Sequence, residues 1–254
     1  MVPEQSNTFL VTGAARGIGR ELVKQLSNIP DAKVIAAVRN IDPDRTKSLR
    51  LEHPNVIIIK IDSEVDTDAF EAVKELKQMG IEKVDTIFAN AGLMTDASEA
   101  IKVKSENLQQ LFHVNTIAPL LLFQAFQPLL QSSVSPRFVV LSTIVSSIAS
   151  QSQLPIKTTS YGSTKVALNF IMVRLAIENR DIITFALHPG TVTTDMAAFA
   201  IGSMGQTLDQ VLRSGLGITP QQSVEAIIKR AKEATLQDTS GTFLDVTNGQ
   251  VIPW

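Results

Sequence analysis

Short apolar runs recur along the chain, and each ends at a polar residue or a glycine turn. They are Phe9–Val11, Lys33–Val38, Asn55–Ile61, Val84–Ala89, Arg137–Leu141 and Ile182–Leu187. Their length and β-branched content read as buried strands. Between them lie stretches with helical spacing. One starts at Glu21. Another runs from Val65 to Met79, with apolar positions at Val65, Ala69, Val73, Leu76 and Met79, and Gly80 as its stop. A long one covers Ser105 to Leu130, with Pro119 as a candidate break, and a further one covers Ser160 to Asn179. Strands alternating with helices predict an α/β fold: a doubly wound parallel sheet of about seven strands, helices on both faces, in a single domain over 1–254. No internal repeat or low-complexity linker interrupts it.

The first run leads into Thr12-Gly13-Ala14-Ala15-Arg16-Gly17-Ile18-Gly19-Arg20 and then a helix. Strand, tight glycine turn and helix in that order form the setting of a dinucleotide site. Gly13 permits the turn, Gly17 lets backbone approach a pyrophosphate, and Gly19 lets the helix pack on the strand. The helix N-terminus aims free N–H groups at the phosphates. In a Rossmann unit the residue after the second strand selects the cofactor. An acid there binds the ribose hydroxyls of NAD, and a cation there accommodates the 2′-phosphate of NADP. Here it is Arg39, and the turn adds Arg16. The expected cofactor is therefore NADP(H). Asp62, after the third strand, has two readings: an acceptor for the adenine amino group, or the cap of the helix beginning near Val65.

The spacing Thr-Gly-x-x-x-Gly-x-Gly resembles the cofactor motif of the short-chain dehydrogenase/reductase family. Asn90-Ala91-Gly92, after the fourth strand, resembles that family's segment under the adenine ribose. Tyr161-x-x-x-Lys165 resembles its active-site motif, and the four-residue spacing puts both side chains on one helix face. An ammonium beside a phenol is expected to lower the tyrosine pKa. The resemblance implies a tetrad of Asn115, a hydroxyl residue, Tyr161 and Lys165. Where the family ends strand five with two serines, this chain has Ser142-Thr143. Thr143 is the first candidate and Ser142 the second, with Ser146 and Ser147 as further alternatives. Asn115 sits among Phe112, Val114 and Ile117, where a mid-helix Asn calls for another role, such as a kink holding a water. The implied cofactor contacts are Gly13, Arg16, Gly17, Ile18, Gly19, Arg39, Asp62, Asn90, Ala91, Gly92, Tyr161 and Lys165. Pro189, Gly190, Val192 and Thr194 would wrap the nicotinamide end.

The resemblance covers about Phe9 to Met196 and extends loosely to Gly241–Asp245 and Pro253-Trp254. The strand-five segment, Arg39-Asn40 and the Pro-Trp terminus look like a branch of small carbonyl reductases that includes norsolorinic acid ketoreductases. It implies NADPH-dependent reduction of a small apolar, aromatic or polyketide carbonyl, with Tyr161 as proton donor. The alternatives are an alcohol dehydrogenase working oxidatively and an NADP(H)-binding sensor without turnover. It also implies a homodimer or homotetramer, paired through the helices that hold Asn115 and Tyr161.

Composition narrows the picture further. A net charge of -2 gives no bulk attraction to nucleic acid or an anionic membrane. The absence of cysteine excludes disulfides and thiolate chemistry and fits a reducing, cytoplasmic setting. No secretory signal or membrane span is expected. His53, His113 and His188 have no metal-site spacing, so no metal is expected. From about 193 to 218, Phe199, Met204, Leu208 and Leu212 alternate with Gly202, Gly205, Gly215 and Gly217. That pattern predicts a lid over an apolar substrate.

Overall fold

The computed structural model describes residues 7–41, 46, 49, 52–53, 55–154 and 156–254. The chain's first six residues and most of the polar loop after Asn40 lie outside the described residues. The strands are β1 (Thr8–Thr12), β2 (Lys33–Val38), β3 (Ile57–Lys60), β4 (Thr86–Ala89), β5 (Arg137–Leu141), β6 (Ile183–His188) and, after a small β7/β8 pair (Thr191–Val192, Gly217–Ile218), β9 (Phe243–Asp245). Seven of them form one sheet in the order β3-β2-β1-β4-β5-β6-β9, with every neighbouring pair parallel.

Both faces of this sheet are covered. Side chains alternate across it, so Leu10 joins one core while Phe9 and Val11 join the other. Helix α1 (Gly17–Ser27) supplies Leu22, Val23 and Leu26 to the second core, and α8 (Pro220–Glu233) supplies Val224 and Ile227. On the opposite face lie α2 (Asp68–Gln78), α4 (Ala118–Gln131) and α5 (Thr159–Glu178), through Leu76, Phe126 and Met172. Burial on both faces is why the strand sequences run apolar without alternation. No described helix is long and apolar enough to cross a membrane.

Several expected boundaries move. Helix α2 begins at Asp68, not Val65, and Val65 and Met79 are exposed. Their match to the helical spacing carries no packing. Asp62 does not cap α2; its Oδ1 accepts from Glu64 N at 3.0 Å and closes a turn. The expected long helix is split. It runs as α3 (Ser105–Phe112), one π turn at His113–Ile117, and α4. The break falls at Asn115 rather than at Pro119, which sits in the first turn of α4, where proline's missing N–H costs nothing.

Asn115 explains the π turn. It is fully buried, its Oδ1 accepts from Leu93 N at 2.8 Å, and its Nδ2 donates to Leu93 O at 2.8 Å and Thr164 Oγ1 at 3.2 Å. The amide thus ties the segment after β4 to α5. Truncation to Asn115→Ala removes these bonds and strands the Leu93 backbone groups. The expected cost is about 2–4 kcal/mol, or a melting point lower by about 5–15 °C. Scanning calorimetry would show it; a shift under about 2 °C would mean the bonds carry no stability.

Candidate active site

Strand order reverses between β1 and β4, which opens a crevice at their C-terminal ends. Thr12 spans it. Its Oγ1 accepts from Asn90 N (3.1 Å) and Ala91 N (3.0 Å), while Asn90 Nδ2 donates to Thr12 O (2.8 Å). The glycine turn enters here. Gly13 and Gly17 have φ of 64° and 55°, in the left-handed region. A Cβ on Gly19 would stand 2.3 Å from the Gly13 carbonyl oxygen. The first turn of α1 has no acidic residue and its N-cap, Arg16, makes no side-chain capping bond. Those N–H groups are therefore open to an external anion, the property that a pyrophosphate site needs.

The expected cofactor residues gather around this crevice. Ile18 and Gly19 open α1, and Ala14 N bonds Ala37 O, which sets exposed Arg39 just beyond, at the end of β2. Thr12, Asp62, Asp66, Ala91 and Val114 line a small cleft one step outward. Gly92 lies on the inner side, where an added Cβ would be 3.3 Å from Asn115 Oδ1 and 3.7 Å from Lys165 Nζ. The segment after β6 faces the glycine turn: a Cβ on Gly17 would meet Thr194 Cγ2 at 3.5 Å. Pro189 O is held by Ser223 Oγ at 2.7 Å, and Gly190 turns with φ of 82°. Val192 is buried in the short β7 strand. Arg16 Nη1 lies 3.6 Å from Asp195 Oδ2, so an exposed ion pair crosses the mouth of the crevice.

The chemistry sits one strand over, where α5 packs on the turn after β5. Lys165 Nζ donates to Leu141 O at 2.9 Å and lies 5.9 Å from the centre of the Tyr161 ring. Four hydroxyl groups follow Leu141, and each has one proton to give. Ser142 Oγ donates to Asn169 Oδ1 (2.7 Å), Ser146 Oγ to Thr143 O (2.6 Å) and Ser147 Oγ to Pro253 O (2.5 Å). Thr143 Oγ1 only accepts, weakly, from Val145 N at 3.4 Å. Its proton is free. Ser142, the second candidate, is buried and has none to offer a substrate, because its strand position turns it toward α5.

Burial sets the charge states. It pushes the half-buried Tyr161 up to about 12 and Lys165 down to about 8. The expected lowering of the tyrosine pKa is thus reversed in the free protein. The ammonium sits over the ring at 5.9 Å from its centre, makes its hydrogen bond to Leu141 O and is itself losing its charge, so it does not offset the cost of a buried phenolate. Tyr161 is partly exposed, and water there works against the shift. His188, at the end of β6, is lowered to about 4 by burial, with Asp245 opposing. Neutral, it accepts at Nδ1 from Ile144 N (3.3 Å). Neither His188 nor Asn169 stood out in the sequence. A reading of histidines for metal spacing passes over the first. The second was visible only as a further step of four after Tyr161 and Lys165.

A family model for short chain dehydrogenase matches residues 7–202. The chain belongs to this family. Among its relatives, the norsolorinic acid ketoreductase of Aspergillus parasiticus is 35% identical over 260 residues, 99% of this chain and 93% of the relative. That of Dothistroma septosporum is 34% identical, across 97% of this chain and 92% of the relative. The structure of an NADPH-bound carbonyl reductase from chicken fatty liver matches this short-chain dehydrogenase with a TM-score of 0.85 at 27% identity, covering 98% of this chain and 99% of that one. The carbonyl reductase Sniffer of D. melanogaster shares the fold, with a TM-score of 0.83 at 24% identity over 98% of this chain and 100% of that one.

The depressed lysine has a measurable consequence. Between pH 8 and 10.5 the unfolded chain keeps the Lys165 proton that the folded enzyme has lost. The unfolded state then binds more protons, so stability rises with pH. The penalty of the buried ammonium is fully present below pH 8 and fades above it. Urea unfolding of the wild type and Lys165→Met from about pH 7.5 to 9.5, below the tyrosine range, should show the wild type gaining on the variant. Parallel profiles would contradict the shift.

Proposed function

We propose that the protein is an NADPH-dependent ketoreductase of the carbonyl-reductase kind. The observation that carries this reading is the uncommitted Thr143 proton on a turn packed against the helix of Tyr161 and Lys165. NADPH, once bound along the glycine turn, would supply the hydride for the carbonyl carbon. Thr143 donates a hydrogen bond to the carbonyl oxygen, and Tyr161 donates the proton that makes it a hydroxyl. Lys165, anchored on Leu141 O, would hold the nicotinamide ribose with its remaining protons. Both amide hydrogens of Asn115 are engaged, with Leu93 O and Thr164 Oγ1, while its Oδ1 accepts one bond from Leu93 N and keeps a lone pair, so a water linking Lys165 to solvent would rest on that oxygen or on the backbone of the turn. The π turn supports this, since such turns disturb the regular backbone bonding.

Tyr161 is a protonated phenol in the free protein, the form that suits the reductive direction. A protonated phenol is the acid that carbonyl reduction needs, whereas oxidation needs the phenolate. Arg16 and Arg39 favour a 2′-phosphate over a bare ribose, and the carbonyl reductase from chicken is a relative bound to NADPH. For the substrate, the segment from 193 to 218 forms two short helices, α6 (Asp195–Gly202) and α7 (Leu208–Arg213), with Phe199, Met204 and Leu216 exposed. Positive φ at Gly205 and Gly215 provides turns between rigid pieces. This supports a lid over an apolar carbonyl, and the relatives' names point to aromatic polyketides. Ile117, Phe170 and Ile177 lie exposed at the α4 and α5 helices, which supports pairing of subunits there.

Steady-state assays should include NADPH and NADH with phenanthrenequinone, menadione and hydroxylated aromatic ketones. NADPH should be preferred by tenfold or more, on the order of one bidentate phosphate contact, and Arg39→Glu should reverse the preference. Tyr161→Phe should lose roughly 10³-fold in kcat with NADPH affinity unchanged. Thr143→Ala should lose about 10²-fold. Retained turnover in Tyr161→Phe would sink the mechanism, and tight NADPH binding without turnover on any carbonyl would favour the sensor.

A further inference from the structure

Tyr161, Lys165 and Asn169 stand four residues apart and form one stripe of α5. Successive members of the stripe meet the β5 turn. Lys165 Nζ takes Leu141 O, and Asn169 takes the next turn of chain. Its Oδ1 accepts from Ser142 Oγ at 2.7 Å, and its Nδ2 donates to Ser146 Oγ at 2.8 Å. Ser146 in turn donates twice to Thr143 O, from Oγ at 2.6 Å and from N at 2.9 Å. The amide of Asn169 thus reaches the peptide of Thr143 through one hydroxyl. Asn169 is only 2% exposed. The helix approaches closely enough that a Cβ on Gly162 would lie 3.1 Å from Val145 O.

We infer that Asn169 is a positioning residue for the reaction: it fixes the turn that aims the Thr143 hydroxyl at the substrate oxygen. The inference rests on the role given to Thr143 above. The residues on either side of Thr143 are pinned through their backbone N–H groups. Ser142 N bonds Leu187 O at 2.7 Å, and Ile144 N bonds His188 Nδ1 at 3.3 Å. Asn169, through Ser146, holds the carbonyl end of the Thr143–Ile144 peptide, and the Thr143 hydroxyl is the polar group left over. Packing alone does not require an amide here, because a leucine of similar shape would fill the same space between helix and turn. What the amide adds is direction: one acceptor for Ser142 and one donor for Ser146, which together orient both hydroxyls. A β-branched hydroxyl residue has few χ1 states, so the backbone of Thr143 decides where its Oγ1 points. A misplacement of about 1 Å at such a group costs roughly 10²-fold in rate.

A double-mutant cycle tests this. Wild type, Asn169→Leu, Thr143→Ala and the double variant are assayed with NADPH and phenanthrenequinone, and NADPH affinity is followed by nucleotide fluorescence. Asn169→Leu should lower kcat about 10- to 100-fold with NADPH affinity unchanged. In the Thr143→Ala background, the same substitution should lower kcat no more than about twofold. Full additivity would overturn the inference, because the amide would then act on something other than Thr143. So would a wild-type kcat in Asn169→Leu. Should Asn169→Leu fail to fold, Ser146→Ala breaks the same link without touching α5 and must show the same cycle. A Thr143→Ala variant with undiminished kcat would instead bring down the role of Thr143, and the inference with it.

Discussion

The parallel sheet is buried under helices on both faces, and this constraint leaves function only the strand ends. A β-strand between two helical layers has no free side chain to offer a ligand. Every residue of the candidate site therefore stands at, or just past, the C-terminal end of a strand, or on a helix that packs there. Thr12 and Leu141 end their strands, Asn90 is the first residue beyond β4, and each provides a fixed point. The reversal of strand order between β1 and β4 separates two connections that would otherwise fill the space. The Thr12–Asn90 bonds tie the two sides of the resulting crevice together.

The same burial governs the electrostatics. A low-dielectric pocket penalises charge of either sign, so phenol, amine and imidazole are all driven toward their neutral forms. For Tyr161 this favours the protonated acid. For His188 it preserves an acceptor that an imidazolium would lose, and that acceptor holds the backbone beside Thr143. For Lys165 the carbonyl of Leu141 serves as a neutral anchor in place of a counter-ion. Geometry and protonation thus have one source, the packing of α5 on the β5 turn.

Much of this was legible in the sequence. The six apolar runs became strands, and the glycine turn, the Asn-Ala-Gly triplet and the Tyr/Lys pair lie where strand order and spacing imply. The structure moved the boundaries of α2 because periodicity counts Val65 and Met79 as core residues, although neither has anything to pack against. It moved the helix break from Pro119 to Asn115. A proline announces itself in a sequence, whereas a buried amide bridging two segments is a long-range event. The direction of the tyrosine shift also differs from the sequence expectation, since helical spacing shows that two side chains are near but not how far burial opposes their charges.

The sequence by itself determined the fold class, the family and which residues are candidates for the chemistry, because local patterns encode strand, turn and helix and because spacing along one helix is a fixed distance. Only the tertiary structure decided which hydroxyl is free. Ser142, Thr143, Ser146 and Ser147 are chemically equivalent as letters. The difference lies in their partners, Asn169, Pro253 and the Thr143 carbonyl, most of which come from remote parts of the chain. A hydrogen-bond donor is spent by what folding brings beside it, and no local pattern records that.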